Sequence, residues 1–136
     1  MKPIHQVSCG PLFNSLTTDA YCLTLLPNYA HIIYYDPIHL DANTLSEVRM
    51  HIANYYNGAN YVLINERVND IAIDPKYHKD SPKNMKAIAI VSENELWRER
   101  LYPEQLNSTK PFAYFNAMEE ARQWADHIME SRLFKI

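Results

Sequence analysis

Glycine is scarce in this chain, which has only Gly10 and Gly58 among its 136 residues. Phosphate-binding loops need several glycines close together, because only glycine lets the backbone approach a phosphate and adopt the required dihedral angles. The Gly-x-Ser-x-Gly elbow that presents a nucleophilic serine is also absent. The sequence therefore argues against the common ATP- and NAD-dependent chemistries and against elbow-type hydrolases.

Cysteine and positive charge are also limited. Cys9 and Cys22 are too few for a disulfide framework and do not form a Cys-x-x-Cys pair. Cys22 lies in an apolar run, where we expect a small buried thiol, and Cys9 is expected to be an ordinary thiol. The formal net charge is −3 and no Lys/Arg cluster interleaves with aromatic residues, so nucleic acid is not the expected partner.

Long apolar runs and metal-ligand patterns are missing as well. No apolar stretch approaches the roughly 20 residues that cross a bilayer. The N-terminus lacks the apolar core and the cleavage site of a signal peptide, so we predict a cytoplasmic protein without a membrane span. The six histidines are scattered without His-x-x-x-His spacing, and we expect no metal and no cofactor.

The first half of the chain predicts strands and one helix. We expect an irregular N-terminal arm over residues 1–18 and a single α/β domain over residues 19–136. Two β-rich runs, 20–26 and 30–35, flank a turn-type insertion and predict an antiparallel hairpin. A helix is expected between Asp41, a suitable N-cap, and Asn57-Gly58, a typical C-cap.

The second half predicts repeated strand–helix units. The continuous apolar runs 61–64 and 87–91 are typical of central strands that are covered on both faces. A short charged helix is expected over 93–102, a loop over 103–111 and a strand over 112–115, followed by an amphipathic helix. The fold class is therefore α/β: a mixed sheet with an N-terminal antiparallel hairpin, parallel central strands and helices packed on it.

The order of these elements is similar to a known family. Lys86 to Val91, the charged helix, and the segment KPFAYFNAMEEARQW over 110–124 resemble the end of SpoIIAA-like bacterial proteins of the STAS superfamily. In that pattern a strand ends in Phe, a short cap follows, and the helix carries Glu-Ala and then Trp. The resemblance covers roughly residues 20–130. It implies a SpoIIAA/STAS-like fold and a regulatory or protein-interaction module.

One segment departs from the family pattern. Phosphorylatable STAS switches carry a turn with Asp, Ser and Gly after the second central strand, whereas residues 65–70 here read NERVND, without Ser, Thr or Gly. No hydroxyl is present there to carry a phosphate. The chain therefore resembles a divergent member of the group that keeps the module but not the kinase-controlled switch.

The polar segment over 65–83 is the candidate site, because ligands in open α/β sheets bind beyond the carboxyl ends of the strands. The segment after the next strand, which contains Glu93, is expected to lie close to it. A Glu66 or Glu93 with a raised pKa would suit a general base. The alternative is that these are ordinary solvated loop residues. The predicted ligand- or partner-binding residues are Asn65, Glu66, Arg67, Asn69, Asp70, Tyr77 and Glu93.

The chain has ten tyrosines, which is many for this length. Exposed tyrosine is favoured at interfaces, so we expect some of them, with Leu12 and Phe13 of the arm, to form a homodimer contact. The alternative is that most of the rings cover the edge of the core.

Three functions remain in competition. The expected one is a non-enzymatic STAS-like module that binds a protein partner of unknown identity. The first alternative is a small-molecule or lipid carrier, which needs a cavity beneath the helix that starts at Asp41. The second alternative is a small enzyme that uses Glu66 or His78.

Overall fold

The computed structural model describes residues 14–35, 41–68, 73–74, 76–99 and 101–134. For residues 132–134 it describes the helical backbone only. Eleven elements follow one another along this part of the chain. They are β1 (Asn14–Thr17), β2 (Tyr21–Leu25), β3 (Tyr29–Tyr34), α1 (Ala42–Tyr56), β4 (Tyr61–Glu66), α2 (Lys76–Lys79), β5 (Met85–Val91), α3 (Glu95–Glu99), α4 (Tyr102–Asn107), β6 (Phe112–Phe115) and α5 (Met118–Phe134).

The six strands form one mixed sheet in sequential order from β1 to β6. The first three strands are antiparallel, and β3, β4, β5 and β6 are parallel to one another. Each parallel connection carries helical residues, because a parallel neighbour is reached only by crossing over one face of the sheet. The predicted α/β fold with its N-terminal hairpin and parallel central strands is confirmed.

Helices cover both faces of the sheet, and successive strand residues alternate between the two faces. Tyr61 of β4 packs with Val48 and Ile52 of α1 in the larger apolar cluster. Val62 and Ile64, on the other face, pack with Ala121 and Ala125 of α5 in the second cluster. The continuous apolar run over 61–64 is thereby explained, since each face of β4 meets a helix.

Helix α1 begins and ends where its caps predict. The Asp41 carboxylate accepts a hydrogen bond from the backbone N–H of Thr44 at 2.9 Å. Asn57 adopts the left-handed conformation, with φ of 50°, and its N–H donates to the carbonyl of Ala53. Gly58 follows with φ of 93°, a value that costs glycine little. The cap residues therefore set the length of this helix.

The expectation of an irregular arm through residue 18 is wrong for residues 14–17. They form β1, an edge strand that pairs with β2 from Asn14 opposite Leu25 to Thr17 opposite Cys22. A four-residue strand with mixed polarity gives no periodic signal, and the open edge of β2 supplies its hydrogen bonds. Residues 1–13, and with them Leu12 and Phe13, lie outside the described residues.

Two further boundaries differ from the prediction. Strand β4 continues through Glu66, so Asn65 and Glu66 belong to the sheet and not to the following loop. Helix α4 covers residues 102–107, although a loop was expected from residue 103. Pro103 lies in the first turn, where a missing N–H costs nothing, so it starts this helix without breaking it.

The state of Cys22 also differs from the prediction. Its side chain is buried, as expected, but it belongs to a disulfide and is not a free thiol. Its bonding partner lies outside the described residues. A disulfide depends on the approach of two side chains in the fold, and the spacing of cysteines along the sequence does not show that approach.

Candidate functional site

A cleft of about 430 Å³ opens at the carboxyl ends of β4 and β5, beside the start of α5. This is the edge at which open α/β sheets bind ligands. Its described lining comes from the ends of two strands, from α3 and from the turn before α5. The lining residues are Glu66, Arg67, Val68, Val91, Ser92, Glu93, Asn94, Trp97, Asn116, Ala117 and Met118.

The structure separates the residues that the sequence grouped into one site. Glu66, Arg67 and Glu93 do line the cleft together. Asn65 and Tyr77 line a different cavity, beneath α1. The reason is that neighbouring residues of a strand point to opposite faces, so Asn65 and Glu66 cannot meet in one pocket. Asn69 and Asp70 lie outside the described residues.

Glu66 is held as a carboxylate. The Nε2 atom of His31, on β3, lies 2.8 Å from its Oε1 atom and donates a hydrogen bond to it. That hydrogen bond lowers the pKa of Glu66 and outweighs the opposing effect of burial. Glu66 therefore lacks the raised pKa that a general base would need, and its carboxylate is a weak proton acceptor.

Arg67 is not available to bind a ligand, because its guanidinium group is paired in the interior. Nη1 and Nη2 donate to the two carboxylate oxygens of Glu104 in α4, at 2.9 and 2.6 Å. The Nε2 atom of His78 lies 2.9 Å from Glu104 Oε1, and the N–H of Ile73 donates to Oε2 at 3.2 Å. Four hydrogen bonds thus converge on one buried carboxylate.

This buried network has an electrostatic consequence. Burial alone would raise the pKa of Glu104, but the hydrogen bonds from Arg67 and His78 overcome it and hold the pKa at about 2. The carboxylate therefore stays ionised near neutral pH and ties α4 to the end of β4, to Ile73 and to α2. His78, the other residue of the enzyme alternative, is occupied by the same contact.

Glu104, like Val68 and Trp97 of the cleft, is not among the site residues predicted from the sequence. It lies in a segment that was predicted as a loop, 37 residues from its partner Arg67. The one local signal is Pro103 at the start of α4, since proline in a first helical turn is common.

Short-range hydrogen bonds hold the segment that leads from β5 into α3, whose Trp97 lines the cleft. The Ser92 hydroxyl oxygen accepts the N–H of Asn94 at 3.1 Å, and Asn94 Oδ1 accepts the N–H of Leu96 at 2.9 Å. These bonds fix the start of α3 and with it the position of Trp97. Val68, which also lines the cleft, has 55% of its surface exposed. The cleft thus combines apolar surface with the carboxylates of Glu66 and Glu93.

A second cavity lies between α1, α2 and the sheet and has a volume of about 50 Å³. Its position is the one that the carrier alternative requires. Its described lining is mostly apolar, with Asn65 as a buried polar residue on the sheet side. The lining residues are Tyr34, Leu45, Val48, Arg49, Ile52, Tyr61, Leu63, Asn65, Ile73, Tyr77, His78, Ser81, Pro82, Met85 and Ile88.

The tyrosines divide between the interior and the surface. Tyr21, Tyr34, Tyr56 and Tyr61 are buried, and Tyr56 stacks on Tyr61 with ring centres 4.5 Å apart. Tyr102 on α4 is 61% exposed. Covering the core therefore accounts for several of the rings, and the homodimer contact stays a prediction.

The described part of the chain has neither a cluster of candidate metal ligands nor a helix that could span a membrane. No three His, Cys, Asp or Glu side chains converge there in an arrangement that would hold a metal ion. None of its helices has both the length and the apolar content of a membrane-spanning segment.

No family model, curated protein or solved structure matches this chain. The resemblance to SpoIIAA-like STAS proteins therefore stays a prediction.

Proposed function

We propose that this chain is a non-enzymatic, STAS-like interaction module that binds a protein partner in the cleft at the carboxyl ends of β4 and β5. The observation that carries the proposal is the composition of that cleft. It combines the exposed side chain of Val68 and the half-buried side chain of Trp97 with the carboxylates of Glu66 and Glu93. Neither a histidine nor a cysteine is among its described lining residues.

The apolar part of the cleft supplies the affinity. Val68 leaves more than half of its surface in water, and Trp97 is half-buried. Covering apolar surface stabilises a complex by about 25 cal/mol per Å² before the cost of association is subtracted. Tryptophan is among the residues that most often anchor interfaces, and Trp97 lines this cleft.

The charge of the cleft selects the partner. Glu66 and Glu93 contribute negative charge, whereas the positive charge of Arg67 is already paired with Glu104. The cleft is therefore complementary to a segment that carries Lys or Arg beside an apolar residue. We take this partner to be a polypeptide with such a segment, in keeping with the protein partner that the resemblance implies.

The enzyme alternative is weakened by the state of its two residues. A general base works best when its pKa lies near the working pH, and the pKa of Glu66 is lowered from its ordinary acidic value. His78 is buried and hydrogen-bonded to Glu104. The carrier alternative is favoured by the cavity beneath α1, but about 50 Å³ is well below the ~300 Å³ at which pockets for larger ligands begin, so a lipid does not fit.

The proposal is tested by comparing cleft variants with matched controls elsewhere on the surface. We would isolate the tagged protein from its own cells and analyse it by native mass spectrometry. Val68→Asn and Glu93→Lys should lose a second polypeptide that wild type retains. The controls Met50→Asn on α1 and Glu130→Lys on α5 change equally exposed residues away from the cleft and should retain it. A second polypeptide that stays bound to both cleft variants would contradict the proposed binding surface.

A further inference from the structure

The amide of Asn65 occupies an unusual position for a polar side chain. In the register of the sheet Asn65 lies between Ile32 on β3 and Ile90 on β5, both completely buried. Only 2% of its own surface is exposed. The amide thus stands in the middle of the apolar sheet face that α1 covers.

The Oδ1 atom of Asn65 has no hydrogen-bond partner among the described residues. A buried acceptor without a donor is unfavourable, because the hydrogen bond it made to water in the unfolded chain is not replaced. Asn65 lines the cavity beneath α1. A donor group placed in that cavity would remove the penalty.

The cavity is unsuited to an ion. Most of its described lining is aliphatic or aromatic. The guanidinium group of Arg49 is hydrogen-bonded to the backbone. Its Nη1 atom donates to the carbonyl of Asp80 at 2.9 Å, and its Nη2 atom donates to the carbonyl of Tyr77 at 2.8 Å. His78 is held by Glu104 at 2.9 Å. A neutral ligand is therefore the one that this lining accommodates.

The volume limits the size of the ligand. One water-sized probe occupies roughly 10–15 Å³, so a cavity of about 50 Å³ holds roughly three to five water-sized groups. Its apolar walls at Leu63 and Ile88 favour carbon over water at the positions away from Asn65.

We propose that the cavity beneath α1 binds one small neutral molecule of about four non-hydrogen atoms, whose O–H or N–H group donates a hydrogen bond to Asn65 Oδ1. Short-chain alcohols and primary amides are the chemical class. This site lies on the opposite face of β4 from Glu66 and does not depend on the proposed partner cleft. Neither proposal requires the other to be correct.

The experiment uses two isomeric probes that differ only in the donor. 1-Propanol and ethyl methyl ether have the same atoms, but only the alcohol can donate to Asn65. Methyl NMR spectra of the full chain are followed during titration with each probe. The alcohol should shift the methyl signals of Val48, Leu63 and Ile88 until the site is saturated. Its affinity should be about tenfold higher than that of the ether, because it alone donates a hydrogen bond to the unpaired acceptor.

Two variants complete the test. Asn65→Leu should remove the preference for the alcohol, so that the two isomers bind equally. Leu45→Phe, at a half-buried position of the cavity wall, should fill the cavity and abolish binding of both probes. Equal binding of the isomers by wild type, or no saturable shift with either, would overturn the proposal and leave the cavity as a site for ordered water.

Discussion

Arg67 and Glu104 form a two-hydrogen-bond ion pair that is almost completely removed from solvent, with side-chain exposures of 2% and 3%. The pair joins the residue after β4 to the middle of α4. Because Arg67 also lines the cleft, the pair determines that the cleft has an acidic and not a mixed charge. A structural contact thus decides what the proposed site can bind.

Loss of this pair should strongly destabilise the fold. Glu104→Gln removes the charge of the carboxylate that holds the buried Arg67 guanidinium, and breaking a buried ion pair from one side costs about 3–5 kcal/mol. Urea denaturation of wild type and variant measures the change in the free energy of unfolding. Glu99→Gln, which alters an exposed glutamate of α3, should change it by less than about 0.5 kcal/mol. Equal stability of the two variants would contradict the structural role of the pair.

The same carboxylate predicts how stability depends on pH. The pKa of Glu104 is about 2 in the folded chain, below its ordinary value of 4.5. The unfolded chain therefore takes up the proton first as the pH falls. The stabilisation is complete above about pH 5 and is lost as the pH falls towards 2, and a shift of this size corresponds to about 3 kcal/mol.

Denaturation curves between pH 7 and pH 3 test this dependence. Glu66, whose pKa is also lowered, should add a smaller loss in the same direction. Glu104→Gln should have a shallower decline of stability with falling pH than wild type. A parallel decline in both proteins would show that other groups cause it.

Asn65 should lower the stability of the folded chain, because its amide oxygen is buried without a hydrogen-bond partner among the described residues. Asn65→Leu keeps a similar volume and removes the unpaired acceptor, so the melting temperature should rise by about 3–5 °C in the absence of ligand. Asn65→Asp places a charge at the same point and should lower it. Thermal unfolding followed by circular dichroism measures both. A melting temperature lowered by Asn65→Leu would mean that the amide is already satisfied.

Because Cys22 belongs to a disulfide, its sulfur should not react with an alkylating reagent until the protein is reduced. Iodoacetamide applied to the unfolded but unreduced protein should leave Cys22 unmodified, and prior reduction should make it reactive. Peptide mass spectrometry identifies the modified residue. Disulfides are uncommon in the cytosol, so the protein isolated from its own cells is the informative sample for the predicted cytoplasmic location. Labelling of Cys22 without reduction would contradict the disulfide.

Much of the fold follows from local patterns in the sequence. The apolar runs at 61–64 and 87–91 predict strands because both faces of the central sheet are covered, and β4 and β5 contain them. Asp41 and Asn57 predict the ends of α1. The Asp41 side chain caps the first turn, and Asn57 adopts the left-handed conformation that ends the helix. These signals are short-range and can be read from one segment at a time.

The site could be predicted only in part. The approach of Glu66 and Glu93 follows from the rule that parallel strands end at a common edge. The pairing of Arg67 with Glu104 does not, because it depends on how α4 packs against a distant segment. The error over Asn65 came from the strand boundary. Strand β4 extends two residues beyond its predicted end, so Asn65 and Glu66 lie on opposite faces of the sheet.

The proposed function requires that the cleft binds a basic and apolar segment of a protein partner. Carbodiimide cross-linking can detect this contact, because it joins a carboxylate to a lysine amine without a spacer. The proposal predicts that, in the protein isolated from its own cells, Glu66 or Glu93 becomes linked to a partner lysine that neighbours an apolar residue. Links that involve only carboxylates outside the cleft, such as Glu130 on α5, would contradict it.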